Sequence, residues 1–176
     1  MPECLFKDVY MFFKSCVVTV ALSLGLVSVA AADEGQQPHH QMVMNAGVPV
    51  QKAWGMAGDT EKVERTIEIK MDDRMRFSPD HIAIKQGETI RFVLPNDGQV
   101  QHEFVLGEKA LLDKFADDVV KGKGMLHGET GMAHVAPGER GEVVWTFNRV
   151  GEFDFACLIA GHYQSGMVGK ISVTAQ

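Results

Sequence analysis

Cys157, His162 and Met167 stand together in "FACLIAGHYQSGMVG", residues 155 to 169, in a C-x4-H-x4-M spacing. A thiolate, an imidazole and a thioether form a soft donor set of the kind that suits copper. Cys157 ends an apolar run, "GEFDFAC", so a sheet would anchor its backbone. Gly161 precedes His162 and Gly166 precedes Met167, and both permit the tight bends that turn side chains toward one point. A trigonal site of two imidazoles and one thiolate, with a weak axial Met, needs a second histidine. His102 in "VQHEFVLG", 55 residues before Cys157, opens a strand after the loop "NDGQ" and meets that need.

Other chemistries compete for the same residues. Zinc accepts Cys and His, but a thioether is a poor zinc ligand and structural zinc closes with four stronger donors. A Cys/His nucleophile pair needs an oxyanion site and a third residue to orient the base, and neither is legible. Taken singly, Met167 reads as core and His162 as a surface residue. Taken with Cys157 and His102, they read as a metal site.

The N-terminus sharpens the case for Cys157. Lys14, an apolar stretch from Val17 to Val29 and the run Ala30, Ala31, Ala32 describe an export signal, too short for a membrane span. Glu3 and Asp8 are unusual in a signal's basic region, and Met11 is an alternative start. Removal of residues 1–32 takes Cys4 and Cys16 with it and leaves Cys157 the sole thiol. An unpaired thiol in an oxidising compartment is a hazard unless it is buried or holds a metal. The expected location is the periplasm, with no membrane span in the mature form.

Residues 33–60 lack helical or strand periodicity and read as an exposed arm. From residue 61 onward short strands recur: "VERTIEIKM", "HIAIK", "TIRFVLP", "HEFVLG", "GEVVWTF", "GEFDFAC" and "MVGKISVT", with "QGE", "PGER" and "RVGE" as turns. They predict an all-β, antiparallel Greek-key β-sandwich over 61–176. One segment departs: Leu111, Leu112, Phe115 and Val119 recur at helical spacing, which predicts one short amphipathic helix in an inserted segment. A glycine-rich loop, "KGKGMLHGETGMAHVAPG", leads back to the sheet.

The region from about 63 to 174 resembles the cupredoxins, the fold of plastocyanin, azurin and auracyanin. The resemblance rests on "VQHEFVLG", "FACLIAGHYQSGMVG" and "FSPDHIAIKQGETIRFVLPNDG", and the loop spacing is similar to that of auracyanins. It implies one type 1 copper held equatorially by His102, Cys157 and His162, with Met167 axial. Glu103 stands where many small electron carriers of the family have an Asn that ties the two ligand loops together.

Two functions follow. One is a soluble electron carrier. The other comes from His39, His40, Met42, Met44 and Met56 in the arm and Met125, His127, Met132 and His134 in the glycine-rich loop, which could serve as secondary copper donors. That combination is similar to periplasmic cupredoxins of copper tolerance. Met71 and Met75 read as packing residues, and His81 as exposed. The implied partners are copper ions and a redox, copper-exporting or copper-oxidising protein. A net charge of -6 argues against nucleic acid. The short chain has one such unit and lacks His-x-His pairs, so no enzyme activity is expected.

Overall fold

The computed structural model describes residues 50–124 and 130–176. Eleven strands and one helix follow in the order β1 (Met56–Ala57), β2 (Arg65–Glu68), β3 (Lys70–Asp72), β4 (Arg76–Ser78), β5 (His81–Lys85), β6 (Thr89–Pro95), β7 (His102–Gly107), α1 (Lys109–Val120), β8 (Met132–Val135), β9 (Arg140–Thr146), β10 (Gly151–Ala156) and β11 (Val168–Thr174).

They build a four-stranded sheet in the order β1-β9-β6-β2, a five-stranded sheet in the order β5-β11-β10-β7-β8, and the small hairpin β3-β4. The sequence predicts antiparallel pairing throughout, yet β2–β6 and β5–β11 are parallel. Strands adjacent in sequence, such as β5 and β6, lie in different sheets, so the chain crosses between sheets and arrives beside some neighbours in the same direction.

Alternation sets the core. In β5, Ile82 and Ile84 are buried while His81, Ala83 and Lys85 are exposed. Leu94, Phe92 and Trp145 of one sheet join Phe104, Phe155 and Ile171 of the other in one apolar cluster. Phe92 and Phe104 meet across the layers with centroids 5.4 Å apart. Met71 is fully buried and Met75 packs against this cluster, as expected of packing residues.

All six residues of β7 are buried, because both of its faces are covered. Phe104 and Leu106 face the main core, and Val105 packs with Leu112 and Ala116 of α1. Leu112 and Ala116, four residues apart, supply the buried stripe of the helix. Ion pairs Lys109–Asp113, Lys114–Asp118 and Lys121–Asp117 lie on its wet side.

Three further features differ from the sequence expectation. Within 50–60, expected as part of the arm, Trp54 is buried, its carbonyl accepts from Trp145 Nε1 at 2.9 Å, and β1 pairs with β9. Gly55, at φ +123°, makes that approach possible, since a Cβ there would sit 2.3 Å from Thr146 O. The expected glycine-rich loop contains β8, whose four residues pair with β7. β4 is also absent from the expected strands; it is only three residues long. The expected signal segment 1–32 lies outside the described residues, as do His39, His40, Met42, Met44, Met125 and His127.

Candidate metal centre

His102 opens β7 and Cys157 follows β10 directly, and these two strands are neighbours in the five-stranded sheet. Residues 157–167 then form a loop stitched by its own backbone. His162 N donates to Ile159 O at 2.9 Å, Met167 N to His162 O at 3.1 Å, and Cys157 N to Met167 O at 3.1 Å. Gly161 and Gly166, at φ +89° and +88°, take the bends that other residues resist.

The result brings His102, Cys157 and His162 together, with one donor atom from each lying within 4.8 Å of the others. Cys157 Sγ is 3.3 Å from His162 Nδ1, and the two imidazoles have centroids 5.1 Å apart. Donors about 2.0–2.3 Å from one shared ion stand roughly 3.5–4 Å apart, so the spacing fits a single metal. His102 is fully buried and its Nδ1 has no hydrogen-bond partner. A buried imidazole nitrogen left so is costly in a core and is what a metal would satisfy. Met167, fully buried, closes the loop beside this group.

The surroundings hold each donor in place. Asp73, in the turn between β3 and β4, accepts from Gln99 N at 2.8 Å and places its Oδ1 3.4 Å from His102 Nε2. A carboxylate behind a metal-bound imidazole helps to fix its orientation. Asn96 is buried, donates to Val100 O and Val135 O, and accepts from Gly98 N, so the loop before His102 is pinned. Arg76 Nη1 donates to Ser165 O at 2.7 Å, and Tyr163 OH donates to Asp113 Oδ1, which ties the ligand loop to α1.

Burial dominates the electrostatics of the donors. Burial pushes the Cys157 thiol up to about 11, the Glu103 amide opposes this, and the Glu103 charge adds to it. A thiol held this high is no ready nucleophile; a bound metal would draw off its proton. Burial, and then the neighbouring His102, lower the pKa of His162, which keeps its ring neutral and able to ligate.

Comparison with known proteins then decides the family. The sequence model for copper binding proteins of the plastocyanin/azurin family matches residues 63–174. The chain belongs to that family.

Its cofactor is copper. The chain is 43% identical over 149 residues to the copper-resistant cuproprotein CopI of Rubrivivax gelatinosus, covering 83% of this chain and 88% of that protein. It is 35% identical to CopI of Pseudomonas aeruginosa, covering 69% of this chain and 83% of that one. In fold it is similar to auracyanin of Roseiflexus castenholzii, with a TM-score of 0.56, 20% identity and coverage of 64% of this chain and 98% of that structure. Auracyanin A of Chloroflexus aurantiacus follows, with a TM-score of 0.53, 24% identity and coverage of 62% and 98%. The cupredoxin fold implied by the two ligand motifs is therefore the fold of this chain.

Of the expected secondary donors, Met56, Met132 and His134 lie among the described residues. Met56 lies on β1 of the four-stranded sheet, its sulfur 3.4 Å from Asn148 Nδ2. Met132 packs under α1, and His134 stands 3.0 Å from a Glu103 carboxylate oxygen. Among the described residues, His102, Cys157 and His162 form the one group of three His, Cys, Asp or Glu donors near enough to share an ion. His81 is exposed beside Asp80, as expected. Sequence reasoning missed Asp73, Asn96 and the Tyr163–Asp113 contact. Only the tight-turn composition of "MDDRM" and "LPNDG" hinted at the first two.

Proposed function

We propose that this chain is an exported, periplasmic type 1 copper protein that contributes to copper tolerance. His102, Cys157 and His162 are its equatorial ligands and Met167 its axial one. The observation that supports this most directly is the convergence of a buried imidazole, a buried thiol and a second imidazole at metal spacing. Likeness to the two copper-resistant cuproproteins supports the physiological role. Bound copper would supply a Cu(II)/Cu(I) couple, and the chain's part is to hold a donor geometry acceptable to both states. Pinned loops on both sides of the site limit how far His102, Cys157 and His162 can move, so little would reorganise when the charge changes. No reaction of its own is assigned to the chain.

His39, His40, Met42, Met44, Met56, Met125, His127, Met132 and His134 are proposed as weaker copper donors that serve capture. One observation favours electron transfer as the alternative: His162, the only donor of the three that is not buried, offers an imidazole path from copper to a redox partner.

Purified protein given Cu(II) should absorb intensely in the visible, and Cys157→Ser should abolish the band. Met167→Leu should keep the fold and shift the band. Colour surviving Cys157→Ser would refute the ligand set. Deleting the gene should make cells copper-sensitive; intact tolerance with a lost respiratory or photosynthetic electron path would favour the carrier role.

A further inference from the structure

Glu103 follows the buried His102 and is itself buried, its side chain 3% exposed. Across the β7–β8 ladder it stands opposite His134, and His134 Nδ1 lies 3.0 Å from Glu103 Oε1. The backbone of the same residue donates its N–H to Cys157 Sγ at 3.3 Å. One residue therefore touches the thiol with its amide and carries a buried carboxylate that meets, at the strand edge, a partly exposed imidazole.

A carboxylate is an expensive choice at such a position. Removing it from water costs several kcal/mol before any pairing is counted. A glutamine would fill the same place beside His134 without that cost. What only glutamate adds is negative charge behind the thiolate, and a buried charge is weakly screened. Extra negative charge disfavours adding an electron to the metal, so it holds the Cu(II)/Cu(I) equilibrium toward Cu(II). The polar His134 ring beside the carboxylate weakens its field at the site and keeps it against β8, next to the amide that reaches sulfur.

We propose that Glu103 is a positioning residue for the copper thiolate and that the Glu103–His134 pair sets the balance between Cu(II) and Cu(I). This rests on the reading of His102, Cys157 and His162 as copper ligands. Glu103→Gln removes the charge and keeps the shape; His134→Ala removes the partner and keeps the charge. The two therefore shift the couple in opposite directions. Glu103→Gln raises the ratio of Cu(I) to Cu(II) affinity about tenfold, equivalent to a potential about 59 mV higher. His134→Ala lowers that ratio.

The test is spectroelectrochemical titration of the copper-loaded full chain and both variants, with the visible band recorded in each and the melting temperature of the copper-free forms as control. Opposite shifts in potential support the proposal. Potentials unchanged in both, or moved the same way in both, overturn it, and a fall in melting temperature alone assigns the pair to structure. If Glu103→Gln does not fold, His134→Ala decides: a potential that stays put or rises overturns the proposal. Failure of the ligand reading looks different, since the parent protein itself would then show neither band nor copper couple.

Discussion

Cys157 Sγ and His162 Nδ1 stand 3.3 Å apart at the two ends of one turn of the ligand loop. Neither is free to drift. Met167 N holds His162 O, and Met167 O holds Cys157 N, so the buried methionine backbone clamps both donors. The copper-free protein thus keeps its ligands in register, and binding has little ordering entropy left to overcome.

The Cys157 thiol gives the copper-free protein a pH signature. Burial raises it to about 11, from 9.0 when exposed, so folding favours the protonated form. The stabilisation is complete below about pH 9 and is lost as pH rises through about 11. It amounts to about 2–3 kcal/mol, two pKa units at 1.36 kcal/mol each. Urea unfolding of the copper-free chain across that window should show the decline, and Cys157→Ala should lack it. Equal profiles for the two would count against the assignment.

Asp73→Asn should loosen copper rather than the fold. The carboxylate sits 3.4 Å from His102 Nε2 and is 40% exposed, so its loss costs little in packing. Outer partners of metal-bound histidines typically carry 10- to 100-fold in affinity. Competition with a chelator should show a drop of about that size at nearly unchanged melting temperature. An unaltered affinity would remove Asp73 from the site.

Tyr163→Phe should release α1 from the ligand loop. The tyrosine hydroxyl donates to Asp113, whose carboxyl is held below its usual range first by Lys109 and then by this bond. Hydrogen exchange should quicken in 109–120 while the copper band stays in place. Protection unchanged along the helix would mean that apolar packing of Leu112 and Ala116 holds it alone.

Gly169→Ala should destabilise the strand that carries Phe155 toward Cys157. A Cβ at 169 would lie 2.1 Å from Phe155 Cζ, and that ring is buried against Phe77 and Phe104. It cannot swing away, so overpacking should cost about 1–3 kcal/mol. Thermal unfolding measures it; a wild-type melting temperature would show that the ring has room to move.

The sequence alone made the candidate donors and most of the strands legible. Soft side chains at C-x4-H-x4-M, glycines at the bends and a strand-opening histidine form a local pattern, and period-two alternation in "HIAIK" or "GEVVWTF" is local as well. The helix was legible for the same reason, since Leu111, Leu112, Phe115 and Val119 repeat at its period. Tertiary structure decided what joins distant segments. The two parallel pairings, β8 against β7 and Trp54 under Trp145 depend on which strands meet, and no single stretch encodes that. Asp73 behind His102, Tyr163 on Asp113 and Glu103 against His134 are contacts between residues 29 to 50 positions apart, or across a strand pair. Side-chain type marks each as polar, but only the folded sheet gives it a partner. Copper as the cofactor could be read from the donors; how tightly and in which state it is held belongs to those contacts.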